Sequence, residues 1–369
     1  MQRLPRPELT TTRRQVAAKA QSPPAHCTDG VRVLLLADTH LGFDLPMRPR
    51  IERPRRGHDF FANFERALRP ARHGEVDLVV HGGDLFFRSK VPAGLVEMAL
   101  TPLVRVAAAG VPVYLVPGNH ERSRIPLHLW TAHPNLHIFD HPRTFALAAG
   151  GGRVLLAGFP FARRVRDGFK RLVKETGHER EEADARLLCI HQIVEGARVG
   201  VHDFTFRGGP DVVRGSQIPG GFCGVLSGHI HRAQVLRHDL GRRPLAAPVL
   251  YPGAIERTGF DERREEKGYM IVTVDLKAPG GRLADVAFVP LPARPMVSLA
   301  VDTGKLGGEA VADHVSRRLS ELDPESVVRV ALHGTGAEEA QAALGAATLR
   351  KLAPAGMIVT ISPYRRQSV

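Results

Sequence analysis

Short apolar runs recur along this chain, and nearly every one ends in glycine, aspartate, asparagine or histidine. Val31–Ala37 (VRVLLLA) runs into Asp38, Val76–His81 into Gly82, Gly83 and Asp84, and Val111–Val116 into Pro117, Gly118, Asn119, His120 and Glu121. Arg153–Phe159, Arg186–Ile190 and Gly224–Ser227 repeat the pattern; His191 follows the second, and Gly228, His229, Ile230 and His231 follow the third. Lys267–Leu276 and Val286–Leu291 are further runs of this kind. Apolar runs of about four to eight residues bounded by turn formers are the mark of strands buried on both faces. In layered α/β folds, ligands gather at the carboxyl ends of such strands. The pattern predicts a β-sheet core with one site built from many strand-end loops.

Helical spacing interrupts the strands twice. Residues 57–71 put Phe60, Phe61, Phe64 and Leu68 on one stripe, and Pro92 opens a second helix to about Ala109. Leu291–Pro295 (LPARP) reads as a linker. Beyond it the order is strand, helix (307–321), strand (Val327–Leu332), helix (337–352), strand (Met357–Ile361). The expected division is a disordered basic tail over 1–30, a catalytic domain over 31–291 and a small α/β domain over 292–369. The tail lacks the apolar segment of a secretory signal.

Lys and Arg outnumber Asp and Glu by 51 to 38, a formal charge of +13. Nine of those excess charges fall within 31–291. That suits a polyanionic ligand such as nucleic acid, although an arginine-rich composition serves solubility equally well. No run of about 18 apolar residues is present, so no membrane span is expected. Cys27, Cys189 and Cys223 form no CxxC pair. A disulfide framework or a thiolate zinc site is therefore not expected, and a reducing, cytoplasmic setting fits.

The strand-end residues carry the chemistry. Taken singly, an Asp or Asn there is usually a turn residue and a lone His is usually structural. Taken together, Asp38, His40, Asp84, Asn119, His191, His229 and His231 offer oxygen and imidazole donors without a thiolate. Such a set suits Mn(II), Fe(II) or Zn(II). A carboxylate shared by two ions would hold them about 3.5–4 Å apart, the spacing used in phosphoryl chemistry.

The ordered series Asp38-x-His40, Gly83-Asp84, Gly118-Asn119-His120-Glu121, His191 and Gly228-His229-x-His231 resembles the calcineurin-like metallophosphoesterase superfamily over residues 31–260. The resemblance implies a layered α/β fold, a metallophosphoesterase β-sandwich flanked by helices. It implies one metal ion on Asp38, His40, Asp84 and His231, and a second on Asp84, Asn119, His191 and His229, most simply both Mn(II). His120 would protonate the leaving oxygen, a task suited to imidazole. Glu121 would orient His120 or its loop. Within the superfamily, Tyr251–Arg257 (YPGAIER) with Phe260 and Glu262, the 57–64 helix and a small C-terminal α/β cap domain resemble the SbcD-type DNA-repair exonuclease group.

That resemblance implies DNA as substrate, tentative phosphate contacts at Arg88 and Arg257, a homodimer and a coiled-coil ATPase partner. Two departures stand against parts of it. Phe87 occupies the position of a second histidine that supports the catalytic one in the group. Only about eight residues follow the last strand, which counts against a dedicated ATPase partner. Two other readings stay open: a phosphoesterase for a small substrate such as a cyclic nucleotide, and a non-catalytic binding module. The loop Arg53–Arg56 reads either as a phosphate track or as a solvated loop.

Overall fold

The computed structural model describes residues 30–121, 133–306 and 310–362. The tail expected over 1–30 lies outside them except for Gly30. Two six-stranded mixed sheets form the body. The first runs Arg282–Pro290, Gly268–Asp275, Gly30–Leu36, Leu78–His81, Val113–Leu115, Leu136–Ile138. Its last four strands are parallel and its first two antiparallel. The second runs Gln234–His238, Pro244–Tyr251, Gly224–Ser227, Ala185–Ile190, Gly152–Gly158, Arg143–Ala149, with parallel strands at its centre.

Strand alternation sorts the apolar residues into layers. Val31, Val33 and Leu35 point into a core shared with Val154, Leu156, Leu187, Cys189, Leu226 and Leu250 of the second sheet. Leu34 and Leu36 point the other way, against Phe60 and Phe64 of helix Gly57–Ala67 and against Leu95, Ala99 and Leu103 of helix Ala93–Ala108. Helix Val165–Glu175 covers the far side of the second sheet with Val165, Phe169 and Val173. The result is helix, sheet, sheet, helix, a mixed α/β architecture as expected. A run with both faces buried has no polar face to alternate, which is why VRVLLLA reads as continuous.

The differences from expectation have local causes. The 57–71 helix stops at Ala67 and restarts as Arg69–Arg72, because Pro70 removes a backbone donor. The 337–352 helix is two pieces, Ala337–Ala343 and Ala346–Leu352, parted at Leu344 and Gly345. Strand Pro244–Tyr251 carries two prolines, which argue against a central strand. Pro248 is accommodated because the parallel ladder begins only at Val249 and the antiparallel register shifts between Leu236 and His238.

Residues 296–361 form a separate three-stranded parallel sheet, Met296–Asp302, Val327–His333 and Ile358–Ile361, with its own core around Val315, Leu319, Val330 and Leu349. Among the described residues no helix is long and apolar enough to cross a membrane. Cys189 and Cys223 are free and buried, and burial pushes the Cys223 thiol up to about 12.

Candidate metal centre

The two sheets meet where their parallel strands end. Ala37 bridges Ala254, and a Cβ on Gly82 would stand 2.9 Å from Gly228 N. That crowding brings together residues far apart in sequence. The backbone bends sharply to do so: Asp38, His40, Asp84 and His229 all have positive φ, from 43° to 81°. Non-glycine residues in that region are uncommon and concentrate at functional sites.

Two donor clusters result, and a third group of His40, Asp84 and His120 overlaps them. Asp38, His40 and His231 form one, with the two Nε2 atoms 2.9 Å apart and His231 Nε2 4.0 Å from Asp38 Oδ1. Asp84, His191 and His229 form the other, with His191 Nε2 3.6 Å from Asp84 Oδ1, 3.2 Å from His229 Nδ1 and 3.0 Å from Asn119 Oδ1. Asp84 stands between them, its Oδ2 3.9 Å from His40 Nε2. All seven donors expected from the sequence are thus gathered.

The hydrogen-bond network tests whether a cation fits. His191 Nδ1 lies 2.7 Å from Gly82 O, which only accepts, so the proton sits on Nδ1 and Nε2 presents a lone pair. His231 Nδ1 likewise lies 2.8 Å from Glu262 Oε1, leaving its Nε2 as a lone pair. In the neutral ring, His191 Nε2 then faces the Asn119 Oδ1 acceptor at 3.0 Å with no proton between them. A divalent cation satisfies such a point, and carbonyl- or carboxylate-anchored imidazoles are the usual way to aim one.

The electrostatics agree. Burial pushes Asp38 up to about 6 against the pull of His191 and His231. Burial also raises Asp84, but His191, His40 and His120 together hold it well below the usual carboxylate range. Burial lowers His191, yet Asp84 and Asp38 carry it up to about 9. Asp84 and Asp38 thus favour positive charge between them, carried by a proton on His191 that a bound divalent cation would displace.

Around the clusters lies a supporting layer. Glu121, 3% exposed, accepts from Gly118 N at 2.8 Å, Phe86 N at 2.8 Å and Asp84 N at 3.1 Å. It ties two strand-end loops together. Burial and then the Asp84 carboxylate push it up to about 8, while the Phe86 and Gly118 N–H donors oppose that shift. His81 accepts from Gly83 N at 3.2 Å and meets Thr39 Oγ1 at 3.1 Å, whose hydroxyl donates to Leu85 O. Burial and His191 lower it to about 3, so it stays neutral. Glu262 also accepts from Thr258 Oγ1 at 2.7 Å and from the buried Lys267 Nζ at 2.8 Å. Sequence reasoning gave no role to His81 or Lys267; a charged lysine inside an apolar strand start was the available signal.

His120 stands at the rim, its side chain 34% exposed and Nε2 3.7 Å from Asp84 Oδ2. Its Nδ1 lies 2.5 Å from Phe87 O. Phe87, where the resemblance implies a supporting histidine, meets the His120 ring through its backbone carbonyl. Arg88 is exposed, with no ion pair among the described residues. Arg257 turns to the backbone instead, donating to Glu265 O from Nε and Nη2 and to Arg294 O from Nη1. The Arg53–Arg56 loop is engaged too: Arg53 and Arg55 pair with Asp44, and Arg56 donates to Arg257 O.

A family model described as calcineurin-like phosphoesterase matches residues 31–233, more than half of the chain. The chain belongs to the calcineurin-like phosphoesterase family. Among curated relatives of this family member, the DNA double-strand break repair protein Mre11 of Haloferax volcanii is 29% identical over 318 residues, 83% of this chain and 62% of that one. The protein of the same name from Methanosarcina mazei is 27% identical over 82% of this chain and 45% of its own length. That from Aeropyrum pernix is 26% identical over 78% and 67%. The chain therefore spans between about half and two thirds of the length of these relatives. A solved dimetal phosphatase from Danio rerio overlays with a TM-score of 0.41 at 11% identity, over 72% of this chain and 100% of that one.

Proposed function

We propose that this chain hydrolyses phosphodiester bonds in DNA at a two-metal centre, as a repair-type nuclease with a catalytic domain over 31–291 and a small cap over 292–369. The observation that carries the reading is the convergence of donors from five strand-end loops into overlapping groups around Asp84. The repair names of relatives matching four fifths of the chain, and the basic excess within 31–291, favour DNA.

Asp38, His40, Asp84 and His231 would hold one ion, and Asp84, Asn119, His191 and His229 the other. Mn(II) is our choice; the donors also suit Fe(II) and Zn(II). Bound ions supply Lewis-acid stabilisation of charge building on the phosphoryl oxygens. His120 supplies the proton. Phe87 O fixes the Nδ1–H, so in the charged ring Nε2 carries the transferable proton toward the site. After transfer to the leaving oxygen, the neutral ring is already the tautomer that Phe87 O stabilises. Arg88, exposed beside Phe87, is the candidate for a phosphate contact.

The test is a Mn(II)-dependent assay on end-labelled double- and single-stranded DNA, beside bis-p-nitrophenyl phosphate. Shortened DNA, abolished by chelator, is expected. Turnover of the chromogenic diester with DNA left intact would overturn the DNA reading in favour of a small substrate.

A further inference from the structure

The short turn Phe260–Glu262 carries the carboxylate that anchors His231, and the C-terminal sheet holds that turn from the other side. The Phe260 ring, 7% exposed, lies under the Arg329 guanidinium, whose central carbon is 4.0 Å from the ring centroid. Arg329 belongs to strand Val327–His333, the middle strand of the three-stranded sheet. A planar cation over an aromatic face is an attractive and directional contact. The turn is closed by Glu262 N to Gly259 O and Arg263 N to Phe260 O, each 3.2 Å, and Thr258 Oγ1 and Lys267 Nζ hold the Glu262 carboxylate from its own side, so the Arg329–Phe260 contact is the hold that comes from the C-terminal sheet. Two more arginines pin the same junction. Arg294 pairs with Asp59 of the first helix at 2.6 Å and with Glu325 of the C-terminal unit, while its carbonyl receives Arg257 Nη1 at 3.1 Å. Two residues after Phe260, Glu262 Oε1 receives His231 Nδ1 at 2.8 Å.

We propose that Arg329 is a positioning residue for the metal centre: by stacking on Phe260 it sets the aim of Glu262 on His231, so the C-terminal unit governs the affinity of the ion held by His231. The inference rests on the two-ion reading above. Outer partners of ligating imidazoles change metal affinity by about 10- to 100-fold when removed. A group acting one contact further out should act at the lower end of that range.

Calorimetric titration of the full chain with Mn(II) tests it without DNA. Wild type should bind two ions. Arg329→Ala should weaken one site about tenfold and leave the other within about twofold. Glu262→Gln should weaken the same site at least as much, and Arg329→Lys, which keeps a cation over the ring, should recover part of the loss. Two unchanged affinities in Arg329→Ala would overturn the inference and leave the metal centre standing. Equal weakening of both sites with a lowered melting temperature would also overturn it, by making Arg329 a general stabiliser. Absence of Mn(II) binding by wild type would remove the two-ion reading and this inference together.

Discussion

Two side chains at the centre do distinct jobs, and substitution should separate them. His120 donates its own N–H to Asp84 Oδ1 at 3.0 Å, yet its ring stands at the rim, outside the proposed ligand sets. His120→Ala should therefore keep both ions and lower the turnover rate by about 10²–10⁴, the usual worth of a positioned proton donor. Steady-state kinetics paired with a metal count would check it, and an unchanged rate would remove the assigned role. Glu121 is structural in a different sense. Glu121→Ala would leave three buried backbone donors without an acceptor. Each such orphan costs about 1–3 kcal/mol, so urea denaturation should show a loss of at least about 3 kcal/mol. The individual donors were legible because each follows an apolar run. The tie made by Glu121 to Gly118, Phe86 and Asp84 was not, because nothing local marks which N–H groups a buried carboxylate will meet.

Elements, more than residues, decide whether the donors converge. Three of the four parallel strands of the first sheet, and Gly152–Gly158, Ala185–Ile190 and Gly224–Ser227 of the second, were readable from unbroken apolar runs; Leu136–Ile138, broken by His137, and Pro244–Tyr251, with its two prolines, were not. The edge strands Arg143–Ala149 and Gln234–His238 were not, since they are only half buried and carry no clean alternation. The turn Phe260–Glu262 shows the other limit: its residues were singled out by resemblance, but the contact of Glu262 with His231 depends on how two loops cross. Gly83 offers a direct test at this scale. It has φ +110°, and a Cβ there would stand 2.2 Å from His191 Nδ1. Gly83→Ala should push His191 out of line, weakening the Asp84–His191–His229 site while the helices stay folded. Circular dichroism beside a Mn(II) titration would read both; full affinity would show that the loop yields freely.

At the scale of the whole molecule, four layers place the buried Asp38, His40, Asp84 and His191 where the two sheets join, with His229 and His231 at the edge of the opening. A cation bound there binds the folded state and not the unfolded one. Mn(II) at about 100 times its dissociation constant should thus stabilise the fold by about 2.7 kcal/mol per site, and chelator should reverse it. Melting curves with and without Mn(II) would check this, and an unmoved transition would count against a structural coupling. The helix layer on the first sheet was legible from the spacing at 57–71 and after Pro92; the one on the second sheet, Val165–Glu175, was not. The contacts that join the C-terminal sheet to the body were not, because Arg294 and Arg329 look like ordinary surface arginines until their partners Asp59 and Phe260 are known.

The claim that the rest depends on is that Asp84 serves two ions at once. Elemental analysis of the purified chain after Mn(II) loading and desalting, wild type beside Asp84→Ala, tests it most directly. The account predicts two ions per chain in wild type and neither retained in Asp84→Ala. Two ions retained by Asp84→Ala, or a single ion in wild type, would contradict it.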